Sequence, residues 1–354
     1  MVTNAVKILL PVVLAFITGF VITPPLIRLF IKQRLWKRKS RSDTADQTIT
    51  NNTFRELHNE SGELSTPRVG GIVIWASVSI VILGLYLLSL IVPSVTLDKL
   101  SFLSRNQTLV PFAVLIFSSI LGLFDDLVQI YGTGSYANDD ISNRRIKIGL
   151  IVFISLLVSL WFVFKLGITG IHIPFDGQLN MGLLFIPFFI LTTLAIFSSS
   201  VIDGIDGLAG GVMVPIFFAY AVIAYFHNQV DLAAFSAVVG GSVLVFLWFN
   251  VPPAKFYMGE TGMVGLTVTL SVIAFLTDAV LPFLIIGFPL AMTAFSSFAQ
   301  MVSYKYFNKK RIFLVAPIHH HFEAKGWSRP AVTMRYWIMS IFAAAIGTII
   351  TLMS

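Results

Sequence analysis

Long uninterrupted apolar runs constrain the fold of this chain more than any other feature. A bilayer core is crossed by about 20 helical residues, so an apolar run of that length predicts a membrane-spanning helix. Such runs recur throughout the 354 residues, and only 12% of the residues are charged. Soluble proteins average about a quarter charged residues. The sequence therefore predicts an all-α, polytopic integral membrane protein.

The apolar runs predict about ten transmembrane helices, arranged as a single transmembrane domain over residues 1–354. The first run, Ala5 to Ile31, is too long for the core of a signal peptide, so we expect it to be retained. The predicted spans cover residues 5–31, 70–92, 109–124, 148–166, 183–201, 209–226, 232–249, 262–277, 280–303 and 332–353.

Basic residues are concentrated in alternate loops. The odd-numbered loops hold Lys32, Arg34, Lys37, Arg38, Lys39, Arg41, Arg55, Arg68, Arg144, Arg145, Lys147, Lys255, Lys305, Lys309, Lys310, Arg311, Lys325 and Arg329. The opposite side holds only Lys7, Lys99, Arg105 and Lys165. Positive charge favours the cytoplasmic side, so we expect cytoplasmic odd loops and both termini on the extracytoplasmic side. The net charge of +7 is thus explained by topology, without a nucleic-acid partner.

Paired aspartates end the third predicted span. Asp125 and Asp126 are adjacent at its cytoplasmic end, and two like charges at that distance repel unless a cation is present. A solvated helix end is the alternative explanation, although one charge would mark the interface equally well. Hard divalent cations such as Mg²⁺ bind carboxylates together with substrate phosphate. The pair therefore favours a cation site.

Two further polar clusters lie in odd loops. Asp203 and Asp206 are three residues apart among glycines, which allow close backbone approach to a ligand. A tight turn would show the same composition. Glu260 follows a proline-broken segment that begins at Asn250, and it lies where a helix dipole favours an anion. An ordinary helix-start carboxylate is the alternative. Tyr257 is expected either to stack on a base or to anchor the interface.

The fourth cluster is a run of three histidines, His319, His320 and His321. Three consecutive side chains do not easily converge on one metal, and the chain has no cysteine, so zinc is disfavoured. The imidazoles instead favour hydrogen bonds to phosphate or hydroxyl groups. A lone histidine is usually structural, whereas three in one cytoplasmic loop favour function. Candidate phosphate contacts are Arg311, Lys147 and Arg68, each of which topology or lipid contact explains equally well.

Five segments between Ser65 and Trp337 resemble the polyprenyl-phosphate phosphoglycosyltransferases of glycosyltransferase family 4. The last segment, which carries the three histidines, resembles the phospho-N-acetylmuramoyl-pentapeptide transferase branch and separates it from relatives that use UDP-GlcNAc. The matching segments are Thr66–Gly71, Asp125–Asp126, Asp203–Ala209, Asn250–Gly262 and Arg311–Trp327.

The resemblance implies Mg²⁺-dependent transfer of a phospho-sugar-peptide from UDP-N-acetylmuramoyl-pentapeptide (UDP-MurNAc-pentapeptide) to undecaprenyl phosphate, giving lipid I and UMP. It implies a multi-pass protein of the bacterial inner membrane, with its active site on the cytoplasmic face and a homodimer as a further expectation. Mg²⁺ is expected on Glu260 and Asp126. Catalytic roles are implied for Asp125, Asp126, Asp206 and His321. Substrate contacts are implied for Asp203, Asn250, Tyr257, His319, His320, Arg311, Arg68 and Lys147.

Some positions depart from the family pattern. Glu260 stands where the family has the aspartate that ligates Mg²⁺, and its extra methylene displaces the carboxylate. Tyr257 replaces a phenylalanine, and Ser200 replaces an asparagine. These departures leave three alternatives open: a transferase for UDP-GlcNAc or another UDP-sugar, an inactive membrane scaffold, and a transporter. A transporter is disfavoured because its charged residues would lie near the midplane of broken helices, whereas here they gather at one face.

Overall fold

The computed structural model describes residues 4–36, 65–92, 94–104, 107–131 and 141–354. Of the basic residues used to assign topology, Lys37, Arg38, Lys39, Arg41, Arg55 and Arg105 lie outside these ranges. The helices are α1 (Asn4–Lys32), α2 (Ile72–Ile91), α3 (Val95–Leu100), α4 (Leu109–Tyr131), α5 (Ile141–Trp161), α6 (Phe185–Ser198), α7 (Leu208–Phe226), α8 (Val230–Asn250), α9 (Gly259–Leu276), α10 (Phe283–Ile286), α11 (Phe288–Tyr306), α12 (Ile318–Ala324) and α13 (Arg329–Met353).

Short turns and one hairpin complete the architecture. A π-helical turn, Phe162–Leu166, extends α5, and two 3₁₀ turns, Gly182–Leu184 and Ser199–Ile202, flank α6. Strands β1 (Gly170–Ile173) and β2 (Gly177–Asn180) form a small antiparallel hairpin. The remainder of the described chain is dominated by helix, as the apolar runs predicted.

Nine helical segments in the described ranges are long and apolar enough to cross a membrane, which confirms the prediction of an all-α, polytopic membrane protein. The predicted span 280–303 is not among them. It divides at Gly287 into α10 and α11, and α11 is long enough but too polar. Its polar side chains have a structural use, because Ser296, Gln300 and Ser303 hydrogen-bond to the segment that leads into α12.

Helices α7, α8 and α9 form the centre of the bundle. Helix α9 is buried along nearly its whole length, with 94% of its residues inside the protein. Small residues allow the helices to approach closely, as is typical in membranes: a Cβ on Gly265 would lie 2.1 Å from Oγ of Ser119 in α4. The outer helices α1, α2, α4, α5 and α13 expose large apolar side chains, which is the expected arrangement for contact with lipid.

Hydrogen bonds at the helix ends define two ends of the bundle. At one end, which we call the site end, Tyr131 of α4 donates to the carbonyl of Gln33 after α1. At the opposite end, Lys7 of α1 pairs with Asp231 of α8, and Asp278 after α9 binds the β-hairpin. All four predicted clusters lie at the site end. Its assignment to the cytoplasm stays a prediction from the basic loops.

Candidate functional site

The segment before α2 pairs with the segment before α9. The amide of Tyr257 donates to the carbonyl of Pro67 at 2.7 Å, and the amide of Gly70 donates to the carbonyl of Tyr257 at 2.9 Å. Glycine is required where the two segments meet, because a Cβ on Gly71 would lie 2.2 Å from the backbone nitrogen of Gly262. Two sequence motifs almost two hundred residues apart are thereby joined at the start of α9.

Asp126 caps the first turn of α9. Its carboxylate accepts hydrogen bonds from the amide of Glu260 at 3.2 Å, the amide of Thr261 at 2.8 Å and the hydroxyl of Thr261 at 2.7 Å. The first amides of a helix have no partner within it, so a carboxylate there satisfies them. Gly122 brings α4 close enough, since a Cβ there would lie 2.1 Å from the carbonyl oxygen of Glu260. Asp126 therefore positions Glu260.

Lys147 of α5 bridges two carboxylates. Its ammonium lies 3.0 Å from Oδ2 of Asp125 and 3.1 Å from Oε1 of Glu260. Gln129, one turn after Asp125, donates to the same Oδ2 at 2.9 Å. We call Asp125, Lys147 and Glu260 the lysine–carboxylate cluster. Its side chains are only 13–23% exposed, so their charges interact in a partly desolvated environment.

Two polar atoms beside this cluster are buried without a hydrogen-bond partner among the described residues. They are Oε2 of Glu260 and Nε of Arg68. Arg68 and Glu260 are also the charged side chains that act electrostatically on Asp126. A buried polar atom without a partner is costly, so these two atoms are candidates for ligand contact: a cation or donor for Glu260, an anion for Arg68.

The segment that carries Asp203 and Asp206 is held against the segment between α8 and α9. Asp203 accepts from the amide of Gly259, and Asp206 accepts from the amide of Ala254, each at 3.1 Å. Asn250 accepts from the amide of Gly207 at 2.9 Å and donates to the carbonyl of Phe256 at 2.8 Å. These three predicted site residues therefore each fix a backbone loop.

The polar face of α11 holds the histidine helix in place. Ser296 accepts from the amide of Ile318, the first residue of α12, at 3.0 Å. Gln300 accepts from the amides of Ile312 and Phe313. His319 and His320 are almost fully buried and pack on Gly204, where an added Cβ would lie 2.7 Å and 2.9 Å from their Nε2 atoms.

His321 points away from the other two histidines. The amide of Leu314 donates to its Nδ1 at 3.1 Å, and partial burial, followed by the charge of Lys325, lowers the pKa of its imidazole. Arg311 lies near Tyr304, with its guanidinium carbon 5.5 Å from the ring centroid. Within the described ranges, no group of three or more His, Asp or Glu side chains is placed to hold a metal by itself.

The structure thus connects most of the predicted site residues through one set of contacts. It begins at Lys147, Asp125 and Glu260 and continues through Asp126, Asp203 and Gly204 to the two buried histidines. His321 and Arg311 lie on the loop side of α12, outside this set. Sequence reasoning missed Gln129, Thr261, Glu323 and Arg329. Helical spacing was the available signal for two of them, because Gln129 follows Asp125 by four residues and Glu323 follows His320 by three.

An apolar groove of about 680 Å³ lies between α6 and the helices α10 and α11. Phe188, Ile196, Leu284, Phe295 and Phe298 are among the residues that line it. Arg144 lines it as well, and this residue precedes Lys147 by three positions on α5. Residues three apart share a helix face, so Arg144 in the groove and Lys147 in the lysine–carboxylate cluster lie on the same side of α5.

Comparison with known proteins identifies the family. The model of glycosyl transferase family 4 matches residues 108–278. A phospho-N-acetylmuramoyl-pentapeptide-transferase from Chloroflexus aurantiacus is 33% identical over 298 residues, which cover 80% of this chain and 77% of the relative. One from Geobacillus thermodenitrificans is 32% identical over 344 residues, which cover 95% and 96%. One from Borrelia turicatae is 36% identical over 256 residues, which cover 66% and 71%. The chain is therefore a phosphoglycosyltransferase and belongs to the phospho-N-acetylmuramoyl-pentapeptide transferase family.

Proposed function

We propose that this chain transfers phospho-N-acetylmuramoyl-pentapeptide from UDP-MurNAc-pentapeptide to undecaprenyl phosphate, giving lipid I and UMP for peptidoglycan biosynthesis. The observation that carries the proposal is the lysine–carboxylate cluster at the site end, beside an apolar groove. A lipid acceptor and a water-soluble nucleotide sugar meet only at a membrane boundary. We propose that this boundary is the cytoplasmic face of the bacterial inner membrane, that residues 1–354 act as one domain, and that the protein forms a homodimer.

The donor set fits a divalent cation such as Mg²⁺. Mg²⁺ is usually held by one or two carboxylates together with substrate phosphates and waters, so three protein ligands are not required. The buried Oε2 of Glu260 is directed at no described donor, and Asp125 lies across Lys147 from it. The resemblance implied Glu260 and Asp126 as ligands; because the carboxylate of Asp126 already binds the start of α9, we assign the ion to Glu260 with Asp125 instead. Asp126, with three hydrogen bonds to the start of α9, supports Glu260. Bound Mg²⁺ would neutralise pyrophosphate charge and stabilise the leaving UMP.

The charged side chains of the cluster orient the two anionic substrates. Lys147 can donate to phosphate oxygens while it remains beside Asp125 and Glu260. The lipid phosphate is largely ionised near neutral pH, because the second pKa of a phosphate monoester is about 6. Asp125 is therefore not required as a base that deprotonates the lipid phosphate. It orients the lipid phosphate for direct attack or, in a two-step route, attacks the pyrophosphate itself. Arg68, with its buried Nε, supplies a second cation for phosphate.

The groove suits the acceptor lipid. Its apolar lining buries part of a polyprenyl chain, and Arg144 lies where a charged headgroup would leave the apolar environment. An arginine there can pair with phosphate through two parallel hydrogen bonds. The phosphate would then lie on the face of α5 that also presents Lys147. This arrangement brings the acceptor to Asp125 without removing its lipid tail from the apolar phase.

The nucleotide sugar is assigned to the loops around Gly204. Tyr257 is half-buried on the segment that pairs with Pro67 and Gly70, and its ring is assigned to stacking on uracil. Asp203, Asp206 and Asn250 shape the adjoining loops through their backbone hydrogen bonds. His319 and His320 face these loops and are assigned to the phosphates or the sugar. Arg311 and His321 are assigned to the peptide-bearing part of the donor, since they lie on the loop side of α12.

The test is UMP release by the purified protein with undecaprenyl phosphate and Mg²⁺. UDP-MurNAc-pentapeptide and UDP-GlcNAc are compared as donors. We expect release with the muramoyl donor, its loss in EDTA and in Asp125→Asn, and its retention in Asp98→Asn, an exposed acid on α3. Release with UDP-GlcNAc alone would support the same phosphoglycosyl transfer and refute the assignment of the muramoyl donor. The presence of Glu260 in place of the family's aspartate keeps this alternative open. Folded protein without release from either donor would favour an inactive scaffold.

A further inference from the structure

A buried glutamate on α12 faces the second histidine. Oε2 of Glu323 lies 2.5 Å from Nδ1 of His320, and Oε1 of Glu323 accepts from Nε of Arg329 at 2.8 Å. The side chains of His320 and Glu323 are only 4% and 3% exposed. A buried ion pair contributes little net stability, and a protein with two apolar side chains in its place is often equally stable. The position of this pair at the site end therefore points to a use other than stability.

The contacts determine which nitrogen of His320 carries the proton. Glu323 is paired with Arg329, so its carboxylate is ionised and can only accept hydrogen bonds. The short contact therefore requires a proton on Nδ1 of His320. The other ring nitrogen, Nε2, then faces Gly204, whose missing side chain leaves room for it. A hydrogen bond at one imidazole nitrogen sets the tautomer and the direction of the other.

We propose that Glu323 is a positioning residue for His320: its carboxylate holds the proton on Nδ1 and directs Nε2 towards the segment Asp203–Asp206. This inference rests on the proposed function, because it assigns His320 to the donor site. Glu323 acts through the histidine and touches no reacting atom. Arg329, at the start of α13, fixes the carboxylate in turn.

The orientation of His320 also bears on the lysine–carboxylate cluster. Gly204 follows Asp203, which accepts from the amide of Gly259, the residue before Glu260. If His320 rotated away, this segment would lose its packing contact at Gly204, next to the residue that binds the start of α9. The effect of losing Glu323 should therefore fall on turnover, which depends on alignment of the donor, more than on the stability of a bundle built from the central helices.

The experiment compares Glu323→Met, which keeps the shape and removes the acceptor, with Glu323→Gln, which keeps an amide oxygen for Nδ1. We expect Glu323→Met to lower kcat about 10- to 100-fold, the equivalent of one charge-assisted hydrogen bond, with little change in the KM for UDP-MurNAc-pentapeptide. Glu323→Gln should recover part of the loss. The double variant Glu323→Met/His320→Asn should be no slower than His320→Asn alone, because both substitutions remove the same unit.

Asp278→Asn is the matched control, since Asp278 also binds two donors but lies at the opposite end; it should retain the wild-type kcat.

A second readout does not depend on turnover. Nδ1 of His227 faces the carbonyl of Thr277 at 3.0 Å and is therefore protonated as well, so nitrogen NMR of histidine-labelled protein should show a second protonated Nδ1, which is absent in His320→Asn and converted to mixed tautomers in Glu323→Met. Additive kinetic losses or an unchanged tautomer would overturn the proposal. If wild-type protein releases no UMP, the proposed function fails and the spectra alone decide. If Glu323→Met does not fold, Glu323→Gln is tested in the same cycle, where additive losses would again overturn the proposal.

Discussion

Replacement of the bridging lysine, Lys147→Met, should destabilise the protein in a way that Mg²⁺ can offset. Without the ammonium group, the two negative carboxylates of Asp125 and Glu260 face each other across the position that the lysine nitrogen had occupied. Removal of one partner from a buried ion pair costs about 3–5 kcal/mol. The side chains here are 13–23% exposed, so water screens the two carboxylates, and we expect a smaller loss of about 2–3 kcal/mol. That corresponds to a fall of about 5–8 °C in the unfolding temperature.

The assay is thermal unfolding in detergent, with and without Mg²⁺ and with NaCl at matched ionic strength. Mg²⁺ should restore much of the loss, because a divalent cation can neutralise both carboxylates, whereas NaCl should not, since dissolved salt screens partly buried charges much less than exposed ones. Lys165→Met, at an exposed lysine in the turn that extends α5, is the matched control and should unfold like the wild type. Unchanged stability of Lys147→Met, or a loss that Mg²⁺ does not reduce, would refute the assignment of Mg²⁺ to Asp125 and Glu260.

The remaining predictions concern close packing and one histidine. Gly259→Ala should abolish UMP release, because the φ of Gly259 is +67° and a Cβ would lie 2.0 Å from the carbonyl of Arg68; Gly84→Ala, which has open space, should keep wild-type activity. His321 has a lowered pKa in the folded state, so its stabilising contact with Leu314 is present above the unfolded pKa of about 6.5 and is lost as pH falls through the folded value. His321→Asn should remove this acid-dependent fall in unfolding temperature, and an unaltered pH profile would contradict the assignment.

The apolar runs predicted most of the helices because lipid contact demands continuous apolar sequence. Within the predicted span 280–303, helix α11 is less apolar than the nine candidate spans of the described chain, since it turns polar side chains such as Gln300 towards a loop. A hydropathy pattern cannot distinguish a polar face that binds protein from one that meets water.

The site was predictable in its members and less so in their roles. Asp125, Asp126, Lys147 and Glu260 were all identified as candidates, because charges at helix ends in a membrane protein are costly. Their division of labour depends on how α5 lies against α9, which no local pattern encodes. Asp126 supports a helix start, whereas its neighbour Asp125 meets the lysine. Glu323 could have been found from its spacing to His320, but the sequence alone does not show which two of the three histidines are buried.

The burial of α9 bears on how the protein enters the membrane. This helix has the lowest mean hydropathy of the nine candidate spans, and it is also the one most fully enclosed by protein. Its buried threonines and serines, among them Thr267 and Ser271, bond to carbonyls within the helix itself. A marginally apolar segment gains little from lipid, so α9 should partition stably only after α4, its closest packing neighbour, is in place. Helix α9, which carries Glu260, would then be among the last helices to reach its final position in the membrane. The site end would form only when the surrounding bundle has assembled.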